Sequence, residues 1–194
     1  MNRIHIASFF LAFSSLQGEN NPILDSLTSV LRDPAGVKMA LTISQNQYDD
    51  SYVDYATLEI VNQHRYIFLS PAQIIRVNDQ TVYTFTPESH QVVIDRLFPK
   101  EFSLFTLLTG DFSHLDILKV IPSTDGTQLI EFFIHEIELS GTLKIDEVFH
   151  PEKIHLNYDK DNTIDVDITS FNHLRQPSDI LWAVDGWEVI DLRE

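Results

Sequence analysis

From residue 37 to residue 96 the chain alternates apolar and polar residues in short runs separated by turn-forming pairs, and this spacing restricts the fold more than any other feature. Val37, Met39, Leu41 and Ile43 alternate with Lys38, Ala40, Thr42 and Ser44, a period of two that puts the first set on one side of a strand. In the next run, 56–61, Leu58 and Ile60 share a face. Further strands are expected at 65–69, 73–77, 81–86 and 91–96, divided by Ser70-Pro71, Asn78-Asp79 and Pro87-Glu88-Ser89. A parallel connection needs a dozen or more residues, so strands this close together must be antiparallel.

Helical spacing interrupts the rhythm twice. Before the strands, Ile23, Leu24, Leu27, Val30 and Leu31 suit an amphipathic helix over 22–32, broken by Asp33-Pro34-Ala35-Gly36. After Pro99, Phe102, Leu104, Phe105 and Leu108 suit a second helix ended by Gly110, with another helical turn expected near 112–118. Strands resume at 128–134, 136–145, 153–158 and 163–171, the last two joined as a hairpin through 159–162, and a short strand follows at 187–191. A twisted antiparallel sheet of this size curls. Its concave side needs covering, and the helical segments are the covers available. The expected fold is α+β: a curved antiparallel sheet forming an open half-barrel with a helical lid.

The start of the chain has the layout of an export signal. Arg3 precedes the apolar run Ile6–Phe13, and Ala12 and Ser14 are spaced like a cleavage site. Residues 1–18 are therefore expected to be a signal peptide and 19–194 a single domain. The apolar run is shorter than the roughly 20 residues needed to span a bilayer. There are no cysteines, which excludes disulfides, thiolate chemistry and the lipidated cysteine of an anchored lipoprotein. A formal charge of −16, from 29 acidic and 13 basic residues, argues against a nucleic-acid partner.

Catalytic and metal motifs fail on inspection. Asp159-Lys160-Asp161-Asn162-Thr163-Ile164-Asp165 opens like a calcium loop, but Ile164 stands where the loop needs glycine and Ser170 where it needs glutamate. His135-Glu136 lacks the second histidine of a zinc-protease helix, and neither a Gly-x-Ser-x-Gly nor a phosphate loop occurs. The sequence supports no enzyme, no metal site and no cofactor.

Four segments together resemble the outer-membrane lipoprotein carrier family. Asn78-Asp79-Gln80-Thr81-Val82-Tyr83-Thr84-Phe85-Thr86-Pro87, followed by Gln91-Val92-Val93-Ile94, is similar to the family's turn, aromatic strand and Gln-Val-x-Val strand. Residues 37–47 resemble its first strand, Phe105-Thr106-Leu107-Leu108-Thr109-Gly110 its Leu-Leu-x-Gly helix end, and Gly186-Trp187-Glu188-Val189-Ile190-Asp191 its terminal strand. The resemblance implies a monomeric periplasmic chaperone that holds lipoprotein acyl chains in an apolar groove. It also implies a donor, the inner-membrane lipoprotein-releasing ABC transporter, and an outer-membrane lipoprotein acceptor. Tyr66 and Phe68 are expected at the groove through the resemblance. Tyr83 and Phe85 join them because they share a face, and Met39, Leu41, Leu58 and Ile60 by alternation. Phe102, Phe105 and Leu108 are expected on the lid's inner side. The family's lid-holding Arg-Pro is replaced by Asn62-Gln63, so Asn62 stands at the latch position without the arginine's charge. A sensor or interaction module that binds lipid or lipoprotein on the same fold is the alternative.

Overall fold

The period-two runs form twelve strands of one sheet in a computed structural model that describes residues 21–98, 101–176, 178 and 185–193. The expected signal peptide, 1–18, lies outside the described residues. The strands are β1 (Val37–Gln47), β2 (Asp50–Asn62), β3 (Arg65–Leu69), β4 (Ile74–Asn78), β5 (Thr81–Thr86), β6 (Gln91–Arg96), β7 (Asp116–Pro122), β8 (Gln128–Ile134), β9 (Leu139–Ile145), β10 (Pro151–Asp159), β11 (Asn162–His173) and β12 (Glu188–Asp191). Their order across the sheet is β12-β6-β5-β4-β3-β2-β1-β11-β10-β9-β8-β7. Neighbours run antiparallel except β12, which lies parallel to β6. The sheet does not close, and β12 and β7 are its two outer edges. The expected helical turn near 112–118 is a correction. The chain enters β7 at Asp116 there, because Ile117 and Val120 pair with Phe132 and Ile130 of the next strand.

Registered pairs set the inner face. Phe68 lies opposite Leu58 and Leu58 opposite Met39, while Ile43, Val166, Ile154, Leu143 and Ile130 succeed one another across the other half of the sheet. These residues form one apolar cluster with both helices, so the sheet wraps around them as an open half-barrel. Helix α1 (Pro22–Leu31) starts where Asn21 Oδ1 accepts the Ile23 amide at 3.1 Å, and it buries Leu27 and Leu31, one turn apart. Helix α2 (Leu104–Leu108) is little more than one turn. No helix among the described residues is long and apolar enough to cross a membrane.

The outer face has a second, smaller cluster. Ile74, Phe85 and Val92 are buried there with Tyr83, Ile94 and Trp187 packed around them. The Trp187 ring lies 6.1 Å from Phe85 and 5.6 Å from His90. Ser178, between β11 and β12 in the chain, donates its amide to Glu59 Oε2 at 3.1 Å, and Lys38 Nζ lies 2.8 Å from Glu59 Oε1. Burial alone would raise the Glu59 carboxyl's pKa. The hydrogen bonds from Lys38 and Ser178 outweigh that and hold it below the usual carboxylate range.

Candidate functional site

Alternation and register bring six of the eight expected groove residues to the inner wall. Met39, Leu41, Leu58, Ile60, Tyr66 and Phe68 are all buried in the main cluster. Tyr83 and Phe85 are not with them, which corrects the expectation. They pair with Arg76 and Ile74 and face outward, whereas Val82 and Thr84, opposite Val77 and Ile75, face in. A spacing of two fixes that Tyr83 and Phe85 share a face, but it does not say which. The aromatics turn outward because the outer side carries its own cluster around Trp187, while the inner side holds Val82 and Thr84.

The lid residues meet the wall through one side chain above all. Phe105 of α2 stacks on Tyr66, with centroids 5.4 Å apart, and sets its edge against Phe68 at 5.3 Å. Leu108 is buried in the same cluster, and Phe102 packs against it from the edge. Phe102 precedes the helix rather than belonging to it. The helix begins after Ser103, whose amide donates to Thr106 Oγ1 at 3.3 Å. Alongside α2 opens a cleft of about 270 Å³, lined by the apolar Tyr66, Leu97, Phe98, Phe102 and Phe105 and by polar residues that include Gln63, Arg96, Glu101 and Asp111. Gln63 Oε1 is buried without a hydrogen-bond partner. Burial pushes the Tyr66 phenol up to about 12, so that ring remains neutral.

Asn62 does not reach the lid. Its Oδ1 accepts the His64 amide at 2.9 Å and so stays within the β2–β3 turn. The polar tie to the lid comes from Arg32 at the end of α1, whose Nη2 donates to the Gly110 carbonyl just after α2 at 2.7 Å. Gly110 has φ +76, and a Cβ there would lie 3.2 Å from Leu31 Cβ, so the end of α2 sits directly on the end of α1. Sequence reasoning missed Arg32, since only a long-range contact distinguishes it from any basic residue near a helix C-terminus. It also left out the far half of the wall: Ile130, Phe132, Leu143, Ile154 and Val166, whose alternation was available.

No protein-family model and no curated protein matches the chain. Solved structures do. An uncharacterised conserved protein from Thermus thermophilus is similar over 88% of this chain and 97% of its own, at 11% identity and a TM-score of 0.53. That likeness shows a shared fold. LolA superfamily and lipoprotein-sorting proteins are also among the similar solved structures. One is a LolA superfamily protein from Nitrosomonas europaea, with 15% identity, 85% and 97% coverage and a TM-score of 0.45. Another is an outer membrane lipoprotein-sorting protein domain from Vibrio parahaemolyticus, with 6% identity, 80% and 93% coverage and a TM-score of 0.45.

Proposed function

We propose that this protein is a periplasmic carrier that shields the acyl chains of lipoproteins between its sheet and α2, without catalytic chemistry. The observation that carries this reading is Phe105, which holds a helix of little more than one turn against the groove wall beside a cleft that Tyr66, Leu97, Phe98 and Phe102 help to line. A helix this short has little stability of its own and depends on packing. α1 is joined to β1 by a tight turn, and α2 has half its length, so α2 is the part that lifts in this reading. Burying Leu107 and Leu108 contributes about 1.5–3 kcal/mol each, and the half-buried Phe105 adds less. A chain of about 15 methylenes gains roughly 12 kcal/mol on full burial. The ligand therefore displaces the lid with a few kcal/mol to spare, a margin that suits a carrier that must also release. In the carrier role, cargo passes from the inner-membrane ABC transporter to an outer-membrane acceptor. A sensor on the same fold would bind the same chains without passing them on.

The test is uptake of a fluorescent C16 fatty-acyl probe, with native mass spectrometry of the protein from its own host. Saturable uptake is expected, weakened at least tenfold by Phe105→Asp while thermal unfolding stays cooperative. If no probe from C12 to C18 binds and no retained lipid appears, the proposal fails. Delivery of a bound lipoprotein to acceptor vesicles then distinguishes carrier from sensor.

The Arg32 tie makes a separate prediction. One such hydrogen bond at a half-exposed site is worth about 1 kcal/mol. Arg32→Ala is expected to speed probe release roughly fivefold in stopped-flow experiments. An unchanged release rate would mean that the bond does not hold the lid.

A further inference from the structure

Both outer edges of the sheet are guarded against pairing with another chain. β7 has a register break between Ile117 and Lys119 and ends at Pro122. β12 is only four residues long. A break, a lysine, a proline and shortness are the usual protections of an edge strand.

A third edge has fewer. β1 and β2 pair in unbroken register from Val37–Ile60 to Gln47–Asp50, but β3 covers β2 only from Thr57 to Asn62. Among the described residues, 50–56 have a strand on one side alone. The Tyr55 amide donates to Asp54 Oδ1 at 2.8 Å, which marks it as facing the free side. Regular alternation turns the amides of Val53 and Ser51 the same way. The surface around this edge is aromatic and exposed: Tyr48 is 79% exposed, Tyr55 66%, and Tyr52 and Val53 56% each. Tyr48 also has φ +53, a conformation unusual for a bulky residue, and its amide is held by the Asp161 carbonyl at 2.9 Å. That bond fixes the hairpin tip against the β10–β11 turn.

The charge around the edge has one sign. Asp49, Asp50 and Asp54 lie along it, the β10–β11 turn held against the hairpin tip adds Asp159 and Asp161, and the only base within 48–56 and 157–162 is Lys160, itself 3.5 Å from Asp161. A second copy would bring the same acids on a chain of formal charge −16, so self-pairing is opposed. A neutral strand would leave Asp54 uncompensated beside the new hydrogen bonds. We propose that residues 50–56 accept an extended cationic segment of a partner protein as an added strand. Cross-strand neighbours share a face, which specifies the segment's pattern. Its basic residues lie on the side of Asp50 and Asp54, and apolar residues meet Val53 and Tyr55.

The probe is an acetylated seven-residue peptide alternating lysine with valine, added to the full chain; a glutamate-for-lysine version is the control. Hydrogen exchange at the amides of Ser51 and Val53 is expected to slow at least tenfold with the lysine peptide alone, and the effect should weaken with salt. Asp54→Lys should lower affinity more than tenfold. Val53→Pro should abolish binding, because it removes an outward amide that β1 does not use. Uptake of the acyl probe should be unchanged in Val53→Pro, since Val53 pairs with Ser44 on the face away from the groove, so failure at this edge is distinguishable from failure of the groove. Four results would overturn the proposal: no added protection, equal binding of the glutamate peptide, a dimer through this edge in sedimentation, or amides already protected in the free chain.

Discussion

Replacing Gly141 with valine is expected to destabilise the protein by about 3 kcal/mol, because the groove's far wall is built around the missing side chain. Gly141 in β9 lies opposite Phe132 of β8 and Leu156 of β10. A Cβ there would run into Phe132 Cζ and stand 2.8 Å from the His155 carbonyl oxygen. The oxygen belongs to the ladder and cannot yield. The ring is 1% exposed in the middle of the main cluster, so it can move only by leaving its packing. Overpacking alone costs about 1–3 kcal/mol, and displacing the aromatic adds part of the roughly 3–5 kcal/mol that deletion of a buried ring costs. For a chain of this size the thermal midpoint should fall by roughly 6–12 °C. Phe132→Leu in the same chain should recover part of the loss, since the two sites share one volume. A midpoint shift below about 2 °C for Gly141→Val would mean that the ring is not seated on the glycine.

Gly141 also shows where sequence reasoning stops. Alternation located β8 and β9, though the run expected from 136 opens with a 3-10 turn at His135–Ile137, and a glycine within a strand does not announce that a ring from the neighbouring strand covers it. The same limit explains Tyr83 and Phe85. Their shared face was legible, but the outer cluster that claims them forms only once Trp187 returns to the sheet, about a hundred residues later. Inner-wall positions such as Met39, Leu58 and Phe68 were legible because the helices cover one side of β1–β3, while most of the polar alternates face away. The lid was placed within two residues by its Phe-Leu spacing and Gly110, and Asn62 was assigned the latch position without the arginine's charge. That position is adjacent to the cleft through Gln63, but its own amide is spent on a local turn. Arg32 came to the lid through the packing of two helices about seventy residues apart, which no local pattern encodes.

Tying α2 to α1 covalently is expected to abolish acyl uptake, and the lack of cysteines makes the experiment clean. In Leu31→Cys/Gly110→Cys the two Cβ atoms would start 3.2 Å apart, slightly inside the roughly 3.5–4.5 Å found in disulfides, so a small outward shift accommodates the bond. Reduced, the double variant loses some apolar burial at Leu31 and strains residue 110 at positive φ, each on the order of 1–2 kcal/mol. It should still fold and take up the C16 probe. Oxidised, the cross-link closes a long loop and offsets that loss by limiting the unfolded chain. α2 can then no longer separate from α1, which is anchored to β1 through the turn at Gly36, where a Cβ would meet the Ile60 carbonyl at 2.8 Å. Uptake should fall at least a hundredfold and return on adding reductant. The reversal separates a closed lid from a damaged one, because both states carry the same substitutions. If the oxidised protein takes up probe at the wild-type rate, acyl chains do not enter by parting these helices, and the packed inner face is simply a core.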